Sequence, residues 1–270
     1  MNINAFSFGI IVVPRTAADW TAAVQRAERQ GFSSVLLPDT TFTTSPMPAL
    51  AAAAAVTSTI KLRPWVLAAP LRHPGATTRE VAALQLLSDG RFELGIGAGR
   101  PGGELDAAKL GMAWGTPGER RRQVAETVAA VREAVDPMPP VIVAASGPRL
   151  LADAVGYADR ISLAAQPQAT VADLAPLVDN IRSAANADLP IGFQIVGVGD
   201  RLPQFTASKF GLSAAELRAA GAAGVISGDP AEAVAELTEL RDRFGIDEFL
   251  VPGELADAFV PVLAQLHANA

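Results

Sequence analysis

Apolar and polar positions along this chain switch back and forth between two rhythms. Residues 8–13 form a short apolar, β-branched run, and residues 19–30 then set Trp20, Ala23, Val24 and Ala27 at helical spacing ahead of Gly31. A short apolar run reads as a buried strand, apolar residues three and four apart read as one helical face, and a glycine just past a helix reads as its terminator. The same alternation predicts strands at 34–37, 60–67, 92–96, 141–145, 160–163, 191–198 and 248–251. It predicts helices at 46–57, 76–87, 119–135, from 149, at 171–185, 231–244 and 255–266. Eight strands, each followed by a helix, point to an α/β fold of the (β/α)8 TIM-barrel type. An open doubly wound sheet is the alternative, and it needs a reversal of strand order that periodicity does not show. Residues 201–224 fit no single unit and read as an insertion after the seventh strand, helical at 212–220. With no linker or repeat, residues 1–270 read as one domain.

Composition narrows the function classes. Half of the 270 residues are apolar and only 19% are charged, which allows a large core. A net charge of −6 with no basic tail argues against a nucleic-acid partner. Cysteine is absent and there are two histidines, His73 and His267, so thiolate metal sites and cysteine nucleophiles are excluded and no metal site is expected. The alanine-rich run at 49–56 is too short to cross a membrane, and the first residues lack a basic-then-apolar leader. The expectation is a cytoplasmic protein with a small-molecule partner and no membrane partner.

In such barrels the site lies at the C-terminal strand ends, so those ends carry the candidate chemistry. The run 92–99 ends with Gly95, Gly97 and Gly99 at alternate positions. Glycine weakens a strand, so this bareness is read as room for a flat ligand, a cofactor, against the backbone. Ala145-Ser146-Gly147-Pro148-Arg149 joins the fifth strand to a helix start, and free N–H groups, a hydroxyl and an arginine make either a phosphate cradle or an ordinary capped turn. Ser227-Gly228-Asp229-Pro230 has similar chemistry. Asp39 is either a contact for a polar ligand edge and a proton carrier, or a turn aspartate. His73, beside a helix start, reads as structural first. Arg120-Arg121-Arg122 reads as a solvated face with one arginine turned inward to a carboxylate. No Rossmann, P-loop, nucleophile-elbow or zinc spacing is present.

Together these residues resemble the luciferase-like monooxygenase superfamily, in its branch of coenzyme F420-dependent oxidoreductases. The resemblance runs through Gly31-Phe32, Asp39, Arg72-His73-Pro74, the block from Leu87 through Ser88-Asp89-Gly90-Arg91 to Gly99, Glu104, Gly111, Arg120 with Glu126, Ser146-Gly147-Pro148, Ala158-Asp159, Gly228-Asp229-Pro230 and Asp247-Glu248-Phe249. It implies a luciferase-like barrel, commonly a homodimer, holding F420 or alternatively FMN at its mouth. The phosphate would lie near 145–149 and the ring against Leu67, Ala68, Ala69, Gly97 and Gly99. It also implies a non-prolyl cis peptide within 67–69. Asp39 is then the catalytic candidate, and Thr40 and Arg100 are the substrate contacts. The implied chemistry is hydride transfer to or from the ring, with an FMN monooxygenase or a non-catalytic cofactor-binding barrel as alternatives. Three departures stand out. Thr40 replaces the histidine of the family's sugar-phosphate dehydrogenases, Arg100 replaces their glutamate, and the connection 135–141 lacks the excursion that relatives use to roof the pocket.

Overall fold

A closed parallel sheet organises the chain. The computed structural model describes residues 6–184 and 189–268. Chain order is β1 (Ser7–Ile11), α1 (Ala17–Arg29), β2 (Ser34–Leu37), α2 (Pro46–Ala54), β3 (Lys61–Pro64), β4 (Leu67–Ala68), α3 (Pro74–Leu87), β5 (Leu94–Gly97), α4 (Gly103–Lys109), α5 (Pro117–Ala134), β6 (Val141–Ala145), α6 (Pro148–Ala154), β7 (Arg160–Leu163) and α7 (Val171–Ala184). It continues with β8 (Ile191–Gln194), β9 (Gly197–Val198), α8 (Gln204–Phe210), α9 (Ala214–Ala219), β10 (Val225–Ile226), α10 (Pro230–Phe244), β11 (Ile246–Pro252) and α11 (Ala256–Ala268). The expected end of the helix after the sixth strand, at 185, lies outside the described residues.

The large sheet runs β3-β2-β1-β11-β8-β7-β6-β5-β4. Its two edge strands, β3 and β4, are halves of one broken stave. Leu62 bridges Phe92 just below β5, and Leu67 pairs with Ile96 within it. The two ends of the sheet therefore meet, giving a barrel of eight staves wrapped by helices, and the doubly wound alternative falls away. The break separates Pro64 from Leu67 and contains the cis peptide, which joins Trp65 to Val66. The expectation of a cis bond within 67–69 is corrected by two residues or more, because the stave resumes parallel pairing at Leu67.

Outward-facing strand residues such as Val35, Leu62, Ile96, Val143 and Phe249 are fully buried against Val24, Leu50, Val81 and Val124 of the helices. Inward-facing residues fill the lumen, and at its base they are charged. Arg63, 2% exposed, donates from Nε to Glu93 at 2.6 Å, and from Nη1 and Nη2 to Glu248 at 2.8 and 2.6 Å. Burial alone would push the Glu248 carboxyl up, but the charge and hydrogen bonds of Arg63 outweigh it and hold it below its ordinary value. Gly192 is small for the same reason, since a Cβ there would stand 2.8 Å from Glu248 Oε2.

The most specific stretch of sequence, 88–91, lies at this N-terminal end and serves the fold. Arg91 donates to Ser88 O, Thr57 Oγ1, Ile60 O, Ala54 O and Thr57 O, pinning the end of α2 to the foot of β3. The connection between α5 and β6 is at the same end, where Pro140 O accepts from Leu94 N. Its brevity therefore leaves the mouth unaffected, which corrects the expectation of a missing roof: a helix-to-strand turn lies opposite the C-terminal face. The expected strand 191–198 is two pieces. β8 stays in the barrel, while β9 pairs with β10 and, with α8 and α9, forms a side unit around Val196, Leu217, Ala222 and Val225. The helix expected at 212–220 is α9, and α4 has no counterpart among the expected elements.

Candidate functional site

Strand alternation decides what reaches the barrel mouth. Successive side chains point to opposite faces, so Arg63 in the lumen places Trp65 on the same side, one layer nearer the C-terminal end. By the same period Ile11, Ala144, Ser146, Ala164 and Gln194 face inward at the tops of their staves. Burial agrees: Ile11, Trp65, Val66, Ala144 and Gln194 are half-buried and Ser146 and Ala164 exposed, whereas the alternate residues Ile10, Val143, Ala145, Leu163 and Phe193 are buried. The named stave ends are thus small or apolar, apart from the amide of Gln194 and the hydroxyl of Ser146. Sequence reading missed Trp65 and Gln194, although a two-residue count from the charged base at Arg63 and from Gly192 would have found both.

The alternate glycines have a different use from the one expected. A Cβ on Gly95 would lie 2.0 Å from Pro64 O, and one on Gly97 3.1 Å from Val66 Cγ2 and 3.2 Å from Ala144 O. At Gly99, φ is +83° and a Cβ would fall 2.3 Å from the Trp114 ring, which also covers Gly103. These positions are bare because the broken third stave and Trp114 press on them. Gly97 remains beside the cradle segment, paired with Ala144 of β6. Beside these glycines Trp65, Val66 and Trp114 are each half-buried.

Asp39 is fully committed. Its Oδ2 accepts from Arg72 Nε at 2.9 Å and from Ala68 N at 3.2 Å, and its Oδ1 accepts from Arg72 Nη2 at 3.1 Å. Arg72 also reaches Glu80 at 3.0 Å, and its carbonyl accepts from Gln123. Burial lowers the Arg72 pKa, but the hydrogen bonds and charge of Asp39, then Glu80, more than offset it and raise it. This bidentate clamp fixes β4, Leu67 and Ala68, and the turn after it that begins at Ala69. His73 caps α3, with Nδ1 accepting from Gly75 N at 3.1 Å, in keeping with the structural reading.

Thr40 bonds Thr43 at 2.9 Å between hydroxyls. Arg100 donates to the buried Asp106 at 2.6 Å and stacks over Phe42, 5.4 Å from the ring centre. Asp106 also accepts from Thr41, and that bond first, with Arg100 after it, holds its carboxyl below the ordinary value against burial. Thr40 is thus tied within its own loop after β2, while Arg100 over Phe42 and Asp106 with Thr41 latch that loop to the segment after β5. Arg120 turns inward as expected, yet to carbonyls rather than a carboxylate: it donates to Ala98 O at 3.1 Å and Gly115 O at 2.9 Å while stacking on Trp114.

The cradle segment stands open. Ser146, Gly147, Pro148 and Arg149 are exposed beside buried Ala145, α6 starts at Pro148 with no side chain capping it, and a Cβ on Gly147 would meet nothing within 4 Å. By contrast, Asp229 caps α10 by accepting from Ala231 N and Glu232 N, so its carboxylate already holds the N–H groups that an anion at 227–230 would need. An anionic tail fits the mouth on one observation, the uncapped α6 start beside the exposed Ser146 and Arg149. Among the described residues no cluster of acids or histidines is arranged to hold a metal, and no helix is long and apolar enough to cross a membrane.

Comparisons with known proteins bear on the same arrangement. The family model for luciferase-like monooxygenases matches residues 6–259. A 5,10-methylenetetrahydromethanopterin reductase from Methanopyrus kandleri is 35% identical over 107 residues, a match spanning 39% of this chain and 30% of that protein. Among solved structures, the coenzyme F420-dependent tetrahydromethanopterin reductase from Methanopyrus kandleri superimposes with a TM-score of 0.72 at 19% identity, covering 96% of this chain and 97% of that one. The monooxygenase from Streptomyces bottropensis gives 0.72 at 18%, covering 97% and 100%. A riboflavin lyase solved with modified FMN and riboflavin gives 0.76 at 16%, covering 98% and 92%. At these identities the structures speak to the shared barrel alone.

Proposed function

The chain belongs to the luciferase-like monooxygenase family, and from that premise we propose that it is an oxidoreductase that seats coenzyme F420 at its barrel mouth and passes a hydride between that deazaflavin and a small, mostly apolar molecule. The observation that carries this reading is an apolar bowl next to an uncapped helix start bearing Ser146 and Arg149. The bound deazaflavin supplies the hydride chemistry; the protein supplies orientation and surroundings.

Trp65, Val66 and Trp114 offer apolar surface to one face of a ring, and the stave ends at Ala144 and Ala164 are small enough to admit it. Ser146 and the N–H groups at the start of α6, with Arg149, suit an anionic tail. The Asp39–Arg72 clamp holds the turn after β4, so Asp39 is a positioning residue and not a proton carrier. Within the bowl no uncommitted acid or base stands among the residues named above. A hydride donor or acceptor that needs only to be oriented fits such surroundings better than chemistry requiring general acid–base help. The reductase named for the 35% relative and the F420 named in one structural neighbour support the deazaflavin. The FMN of the riboflavin lyase structure supports the alternative ring, and a monooxygenase activity with it.

Titrating the purified protein with F420 and with FMN, read by ligand fluorescence, tests the reading. Binding of F420 at micromolar concentration or tighter is the expected result, and binding of neither ring removes it. A homodimer and a cytoplasmic setting belong to the same proposal; light scattering of the purified protein checks the former.

A further inference from the structure

Most polar side chains that face into the barrel are already engaged or closed off. Arg63, Glu93 and Glu248 spend their hydrogen bonds on one another at the base of the lumen. Ser34 and Ser162, at 1% and 2% exposure, are shut away from any ligand at the mouth. Gln194 differs on both counts. It is half-buried, its amide has no hydrogen-bond partner among the described residues, and neither amide atom is shielded from solvent. Gln25, Gln85 and Gln123 show the alternative use of such a group, each tying two elements together by donating to a distant carbonyl, of Val56, Pro137 and Arg72.

Neighbouring residues settle which way that amide points. A Cβ on Gly192 would stand 2.8 Å from Glu248 Oε2, so this position of β8 faces the lumen. Gln194, two residues on, faces the same way and lies one layer nearer the mouth. Pairing between the two is regular, Gly192 with Glu248 and Gln194 with Leu250. Leu250 also lies inward, since a Cβ on Gly9 would meet its Cδ2 at 3.1 Å and Leu36 Cδ1 at 2.5 Å. Leu36 and Leu250 are fully buried, whereas the stave ends Ile11, Ala144 and Ala164 are open in part and carry no charge. An accessible amide therefore stands among small and apolar neighbours.

We propose that Gln194 is a specificity-determining residue that holds the polar head of a neutral substrate, a carbonyl or hydroxyl group carried on an apolar body. This inference rests on the oxidoreductase reading above and deepens it by naming the substrate's polar handle. An amide offers N–H donors and a carbonyl acceptor, so it serves a carbonyl oxygen by donating and a hydroxyl by doing both. A carboxylate or an ammonium in the same place would lose water without meeting a counter-charge among these neighbours. A site that hydrogen-bonds one group of its ligand discriminates more strongly than apolar shape alone.

The experiment uses four probes with one apolar body: cyclohexanone, cyclohexanol, cyclohexylammonium and cyclohexanecarboxylate. In ¹⁵N-labelled wild type, with and without F420, the two neutral probes should shift the side-chain amide signals that are missing from Gln194→Met and Gln194→Glu. They should also bind roughly tenfold tighter than either charged probe. Gln194→Met keeps the length of the side chain and removes both hydrogen-bonding atoms. It should melt within about 2 °C of wild type and bind the neutral probes roughly fivefold more weakly. Gln194→Glu should invert the order and prefer cyclohexylammonium, a change that a merely structural role would not produce. Amide signals that stay in place with both neutral probes, a Gln194→Met variant that binds them as tightly as wild type, or charged probes that bind wild type equally well each overturn the inference. Titration of the same samples with F420 and FMN keeps the two readings apart: binding of neither ring, with cyclohexanone still shifting the amide, removes the cofactor and leaves Gln194 as the ligand's polar contact. Should Gln194→Met fold poorly, Gln194→Glu and the wild-type signals decide.

Discussion

Replacing Arg63 with methionine removes a cation that is 2% exposed and enclosed in the barrel lumen. It leaves Glu248, 3% exposed, without the two hydrogen bonds of 2.8 and 2.6 Å that Arg63 supplies. Breaking a buried pair by deleting one partner costs about 3–5 kcal/mol, since the remaining charge stays desolvated and uncompensated. Two cations soften the loss: Lys61 stays 3.0 Å from Glu93, and Arg160 is 3.9 Å from Glu248. The lower part of that range, about 3 kcal/mol, is therefore expected, which for a chain of this size lowers the melting midpoint by roughly 6–12 °C. The pH dependence gives a sharper test. In wild type the Glu248 carboxyl is held below its ordinary 4.5, so its contribution is complete above that pH and is lost as pH falls through the depressed folded value. In Arg63→Met burial, the largest influence on that carboxyl, is opposed only by the charges of Arg160 and Lys61, so the carboxyl moves up. The carboxylate then costs stability near neutrality, and protonation relieves that cost as pH falls. The gap between the two proteins should be widest near pH 7 and shrink towards pH 5. Urea and thermal unfolding at pH 7, 6 and 5 measure it. A loss under about 1 kcal/mol, or a gap of constant size across that range, would refute the assignment of the triad as a coupled buried ion cluster.

Asp39→Asn should loosen the clamp on Arg72 and Ala68, costing about 1–3 kcal/mol of stability, while leaving the shape of the pH–rate profile unchanged. An intact melting midpoint with a lost titration limb would instead make Asp39 a proton carrier. Gly99→Ala must displace the Trp114 ring from a position 2.3 Å away at a φ of +83°, so we expect a loss of about 2 kcal/mol and a red-shifted tryptophan emission; a neutral substitution contradicts the packing. Arg149→Ala should weaken binding of the anionic cofactor about tenfold and flatten its salt dependence, with no change in unfolding midpoint, since the side chain is exposed. Binding unaffected by the change at low salt would remove Arg149 from the cradle.

Periodicity in the chain was enough to specify eight βα units and thus the barrel, because strand and helix repeats are local properties that each segment carries in its own residues. The exposed turn at 145–149 was legible for the same reason: a glycine, a hydroxyl and a helix-starting proline declare themselves within five residues. Which groups several polar side chains meet was settled by residues distant in the chain. Asp39 is claimed by Arg72, Asp106 by Thr41, 65 residues away, and, at the base of the lumen, Glu248 by Arg63, 185 residues away. The glycines at 95, 97 and 99 were visible as an anomaly but misread in cause. A missing side chain reports that something comes close, and only the closed barrel reveals that Pro64, Val66 and Trp114 are what comes. Local pattern determines which elements form. Closure of the sheet determines which side chains meet, and therefore which donors are left for a ligand.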